Sequence, residues 1–195
     1  MEKQPGVEKQ PGVEKQSGVE KQSGVERQAE AGSRARSGLR TGRLARLAVL
    51  AGLYAALTIL PPFSSISYGP VQVRVSEGLT VLPFLSADYA WGLFVGCIVA
   101  NLGSPFLVYD LTLGALATLV AAFLTSRAKT PALAPLPPVV VNALVVSWYV
   151  SRLSNLPYAP TALYIALGEV AACYGLGYPL LAYLLRNQKL REFLS

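Results

Sequence analysis

The run PTALYIALGEVAACYGLGYPLLAYLL, Pro160 to Leu185, carries a single charged side chain, Glu169, and then meets Arg186, Lys189 and Arg191. It exceeds the ~20 apolar residues that cross ~30 Å of hydrocarbon as a helix. Five more apolar stretches precede it: Leu44 to Leu60, Val71 to Leu85, Tyr89 to Leu102, Leu111 to Ser126 and Pro137 to Leu153. From Leu44 onward the only carboxylates are Glu77, Asp88, Asp110, Glu169 and Glu192. A soluble domain this small could not bury so much apolar surface, so the bilayer is its solvent. The pattern predicts an all-α membrane protein. It is expected to be a compact bundle of six transmembrane helices over residues 44–186, with a tail at 187–195. The stretches from Val71 and from Tyr89 are short, and one of them is expected to tilt or to span only partly.

Residues 1–43 are of another kind. A hexapeptide repeats there, VEKQPG and then VEKQSG, ending in VERQAE. One valine per unit cannot offset the entropy of ordering, so a disordered low-complexity tail is expected. Such a hydrophilic stretch ahead of the first apolar run is unlike a signal peptide. The tail closes on Arg34, Arg36, Arg40 and Arg43, with Arg46 just beyond. The formal charge of +6 could point to nucleic acid, but beside a span this cluster reads as a cytoplasmic anchor for anionic headgroups. An even number of spans puts it on the same side as Arg127, Lys129 and the basic C-terminal tail. A multi-pass protein of the plasma membrane is expected, with both termini cytoplasmic.

Chemistry is narrowed by what the sequence lacks. It has no histidine, and Cys97 and Cys173 sit in apolar runs without CxxC spacing. Ser-His or Cys-His nucleophilic catalysis within the chain is thereby excluded, and neither a metal nor a cofactor is expected. With no GxxxxGK[ST] phosphate loop there is no ATPase motor either. A transporter, or one subunit of a larger pump, is expected rather than an enzyme.

Polar groups inside spans are expensive and mark pathways or sites. Arg74 and Glu77 fall at the outer end of the second stretch on one face, Asn101 ends the third, and Asp110 starts the fourth. Asn142 and Glu169 lie about ten and nine residues below the outer ends of the fifth and sixth, ~13 to 15 Å down at ~1.5 Å per residue. The set outlines a cup open to the outside. Tyr68, Trp148, Tyr158 and Tyr164 are expected to border it. Aromatic walls with a few carboxylates and amides suit a flat, nitrogen-rich heterocycle. Each residue also has a plainer reading. Arg74 and Glu77 can simply pair, Asn142 can tie two helices together, and the aromatics can form an interfacial belt. Glu169 resists such a reading, since no basic residue shares its span. In the first span, Ala45, Ala48, Gly52, Ala55 and Ala56 form a small-residue stripe, fit for internal packing or for a docking partner helix.

GPVQVRVSEGLTVLP, Gly69 to Pro83, closely resembles the signature segment of the QueT family. GLFVGCIVANL (Gly92 to Leu102), DLTLGALATLVAA (Asp110 to Ala122), APLPPVVVNALVV (Ala134 to Val146) and ALYIALGEVAACYGLGYPLL (Ala162 to Leu181) are similar to its later segments in order, and AGLYAALTILPPFS fits the first span. The resemblance implies a six-helix substrate-binding subunit of an energy-coupling factor transporter. Its substrate would be a queuosine precursor, 7-aminomethyl-7-deazaguanine or a related deazapurine. It also implies a transmembrane coupling subunit and two ATPase subunits as partners, the first helix docking through Ala48, Gly52, Ala55 and Ala56. A carboxylate can accept bidentately from the deazaguanine N–H/NH₂ edge, and Glu169 is the candidate. Glu77 or Asp110 could pair with an aminomethyl cation, Asn101 or Asn142 could serve the ring, and Arg74 is expected to organise the site by pairing with Glu77. The competing reading is a stand-alone secondary transporter for a small heterocyclic metabolite. That reading predicts gradient-driven uptake by the chain alone, and inverted repeats that are not evident in the sequence.

Overall fold

The structure is a computed structural model, which describes residues 41–60, 64–67 and 73–194. The hexapeptide tail and Tyr68 lie outside the described residues. The chain divides into two units, Met1–Leu44 and Ala45–Ser195, and all but the first four described residues belong to the second.

Among the described residues every element is helical. The first helix, α1 (Thr41–Ile59), ends just before Pro61-Pro62, which lack the amide hydrogens a helix needs. A 3₁₀ run spans Val75–Phe84. Helix α2 (Tyr89–Ala100) is followed by a single 3₁₀ turn at Asn101–Gly103. Helix α3 (Leu107–Ser126) holds a π turn at Asp110–Gly114. Helix α4 (Leu136–Leu153) leads through Asn155, whose φ of 53° a short polar side chain tolerates, into α5 (Tyr158–Arg186). A second π turn interrupts α5 at Ala171–Gly177. A last short helix, α6, covers Gln188–Leu194.

Among the described residues, four helices are long and apolar enough to cross a membrane: α1, α3, Pro131–Leu153 and α5. Tyr89–Gly103 is a shorter apolar helix. The expected second span takes a different form. Ten residues of 3₁₀ helix rise only ~20 Å, and Ser76 through Val81 are all buried. A segment covered on every side is an internal element rather than a lipid-facing helix. The apolarity of Val75–Phe84 therefore reflects burial inside protein, which hydropathy cannot distinguish from burial in lipid.

Large apolar side chains point outward and small or polar ones inward. On α2, Trp91, Val95, Val99 and Leu102 form an exposed stripe, while Gly92, Gly96 and Cys97 are buried. On α3, Leu116, Val120 and Leu124 are exposed, whereas Gly114, Thr118 and Thr125 are buried. This arrangement suits helices whose partners are lipid tails on one side and close-packed backbone on the other. Two crossings set the site. A Cβ on Gly96 would lie 2.9 Å from Ala51 O and from Tyr54 Cβ, so α2 packs directly against the α1 backbone. A Cβ on Gly177 would lie 2.7 Å from Gly78 O, so the π turn of α5 rests on the 3₁₀ run.

Candidate functional site

Because Gly177 lets α5 approach Gly78, the residues beside each crossing partner are brought together. Cys173 Sγ reaches Glu77 O at 3.4 Å, Thr80 Oγ1 at 3.6 Å and Glu169 Oε2 at 3.6 Å. From α4, Asn142 Nδ2 donates to Glu169 Oε1 at 2.9 Å. Arg74, Glu77, Gly114, Thr118, Asn142, Val146 and Glu169 enclose a small cavity of about 10 Å³, room for about one water molecule. Asn142 and Glu169 are thus in direct contact.

Asp110 lies on the π turn of α3, which aims it inward. It accepts from Tyr149 Oη and Ser104 Oγ, and Arg74 Nη2 stands 3.9 Å from its Oδ1. The ion pair thus joins Arg74 to Asp110, a carboxylate other than the neighbour three residues on that the helical spacing had implied. Glu77 instead receives Tyr54 Oη on Oε1 at 2.5 Å. The reason is local: Arg74 is the extended residue just ahead of the 3₁₀ run (φ −94°, ψ 104°), so a helical spacing between it and Glu77 does not hold. Glu77 is 2% exposed, and its Oε2 has no hydrogen-bond partner among the described residues.

Asn101 is fully buried beside this cluster, donating to Cys97 Sγ at 3.2 Å, and Cys97 in turn receives Thr118 Oγ1 at 3.4 Å. Trp148 and Tyr164, expected to border the cavity, are 50% and 49% exposed on the outer faces of α4 and α5. Tyr158 is exposed too, its hydroxyl 3.3 Å from Leu144 O. On α4 the position one residue beyond Trp148 is the inward one, and Tyr149 fills it, stacked on Tyr109 at 5.8 Å. The aromatic groups at the site are therefore Tyr54 and Tyr149, which the sequence reading missed. Both carry a usable signal: a tyrosine deep in an apolar helix must find a partner for its hydroxyl.

The small-residue stripe of α1 divides. Ala55 is buried and Ala56 half-buried, while Ala45, Ala48 and Gly52 are exposed, with nothing within 4 Å of a Cβ built on Gly52. Internal packing and an open face coexist on one helix.

Taken together, the site holds one guanidinium, three carboxylates and a carboxamide within apolar walls. It can bind a small polar molecule by several hydrogen bonds, provided the cavity widens.

A family model described as QueT transporter matches residues 44–186. Queuosine precursor transporter QueT of Lactococcus lactis subsp. cremoris (strain MG1363) is 41% identical over 81 residues, 42% of this chain and 47% of that protein. The match thus spans about half the length of that curated relative. No solved structure matches the chain.

Proposed function

The chain belongs to the QueT transporter family, a family of transporters and not of enzymes, and from that premise we propose that it is the membrane-embedded substrate-binding subunit of an ATP-driven uptake system. Its substrate is a queuosine precursor, 7-aminomethyl-7-deazaguanine or a related deazapurine. The observation that carries this reading is the Asn142–Glu169 pair on the wall of a closed cavity. A carboxylate beside a carboxamide matches the N–H/NH₂ edge and the carbonyl of a deazaguanine. The named substrate of the relative is of the same class.

The cavity of about 10 Å³ is far below the several hundred Å³ of a ligand pocket. Binding therefore requires the walls to part, and the 3₁₀ run is the wall least like a continuous helix. With no ATPase motif in the sequence, the energy comes from partners, two ATPases and a coupling subunit, the last meeting the open Ala48 and Gly52 face of α1. The membrane part makes six passes if the 3₁₀ segment and Tyr89–Gly103 serve as the two short ones. The basic clusters place both termini in the cytoplasm.

The test is calorimetric binding of 7-aminomethyl-7-deazaguanine to the purified, detergent-solubilised chain beside Glu169→Gln. Saturable binding that the variant loses supports the assignment. A folded chain that binds no deazapurine overturns it, and gradient-driven uptake by the chain alone would move it to the secondary transporters.

A further inference from the structure

Three carboxylates share the site, and the structure does not treat them alike. Asp110 is taken up by Ser104, Tyr149 and the nearby Arg74 guanidinium. Glu169 is engaged at both oxygens, by Asn142 and by Cys173. Glu77 uses only Oε1, held by the buried Tyr54 hydroxyl, and leaves Oε2 without a partner at the cavity wall. A buried carboxylate oxygen without a donor is costly, and such cases in native proteins call for a missing partner. The donor that relieves it arrives with the ligand.

Charge points the same way. One guanidinium stands among three carboxyl groups at the site among the described residues, so a cationic ligand finds acceptors there beyond the one that Arg74 approaches. We infer that Glu77, oriented by Tyr54, is the counter-ion that makes this site select ammonium-bearing deazapurines over neutral ones. The inference rests on the deazapurine reading above and narrows it. Tyr54 is a positioning residue: it fixes one oxygen of Glu77 so that the other faces the cavity. One turn along α1, Thr58 Oγ1 donates to Ser76 Oγ at 2.7 Å, so the 3₁₀ run is tied to α1 at two successive points beside Glu77.

The test compares 7-aminomethyl-7-deazaguanine with uncharged 7-deazaguanine as calorimetric ligands of the full chain in detergent. The wild type is expected to prefer the amine. Losing a charge-assisted contact in Glu77→Gln is expected to weaken the amine roughly 10- to 100-fold while moving the neutral ligand by less than about 3-fold. Tyr54→Phe, which keeps every carboxylate, is expected to narrow the amine-to-neutral ratio by a smaller factor, and it carries the test if Glu77→Gln does not fold. Equal weakening of both ligands in Glu77→Gln, or an unchanged ratio in Tyr54→Phe, overturns the inference. A wild type that binds both ligands equally well overturns it too, while leaving the deazapurine reading intact. A wild type that binds neither overturns both.

Discussion

Asn142 Nδ2 and Glu169 Oε1 stand 2.9 Å apart, joining α4 to α5 inside the cavity rather than at a lipid-facing seam. A purely structural tie between helices is a sufficient account of an asparagine in a span. It does not explain why the acceptor is a carboxylate, which costs more to bury than a second amide. Glu169→Gln keeps an oxygen to accept from Asn142 and loses only the charge. The melting temperature in detergent is therefore expected to move by a few degrees at most. Affinity for the deazapurine is expected to fall roughly 10- to 100-fold, since hydrogen bonds to a charged acceptor contribute about 1.5–3 kcal/mol. Equal losses of stability and affinity would instead mark the pair as a helix tie.

Asp110 is predicted to behave in the opposite way. Removing it in Asp110→Ala strips two hydroxyl donors and leaves the Arg74 guanidinium without its carboxylate neighbour. Breaking one side of a buried charge pair costs about 3–5 kcal/mol, so thermal unfolding in detergent should shift strongly downward. Asp110→Asn, which keeps an acceptor for the tyrosine, is expected to lose less. A stable Asp110→Ala variant with selectively impaired binding would reassign this residue to the ligand.

Much of this site could be read from the sequence, and the part that could not has a definite cause. Charged and amide groups in apolar runs stand out because burial makes them expensive, which is why Arg74, Glu77, Asp110, Asn142 and Glu169 could be picked out one by one. Direction was less legible. Trp148 and Tyr149 are neighbours, yet one faces out and the other in, and a helix period decides between them only when its phase is known. The phase shifts at the two π turns, Asp110–Gly114 and Ala171–Gly177, each adding a residue that no apolar pattern announces. Hydropathy left the form of Val75–Phe84 open for a related reason. It measures apolarity but not what covers it, and a largely buried 3₁₀ run has the same apolar signature as a short lipid-facing helix.

The Gly78–Gly177 crossing gives a prediction at a distance from any charge. In Gly177→Ala the new methyl would fall 2.7 Å from Gly78 O and 2.9 Å from Val81 Cγ1. The 3₁₀ run must shift, at a cost of about 1–3 kcal/mol, and Glu77 shifts with it. Both stability and deazapurine affinity are expected to fall. Gly175→Ala is the control, because a Cβ there meets nothing within 4 Å. Melting curves and calorimetry on the two variants, side by side, check whether the crossing is what holds the carboxylate in place.

The open side of α1 offers a test of the proposed division between capture and transport. Ala48 and Gly52 are exposed and far enough from neighbours that Gly52 tolerates a side chain without a clash inside the chain, whereas Ala51 and Ala55, on the adjoining face, are buried. Small residues on an exposed helical face allow another helix to approach closely, and a large side chain there prevents it. Gly52→Leu is therefore expected to leave the melting temperature and the deazapurine affinity of the isolated chain within error of wild type. Uptake of radiolabelled precursor into cells that also express the coupling subunit and ATPases is expected to drop at least about 10-fold, the loss of roughly 1.4 kcal/mol of docking free energy. Ala51→Leu, which pushes into the Gly96 crossing, is expected to fail at the earlier stage and lose stability. If Gly52→Leu transports normally, α1 meets no partner through this face.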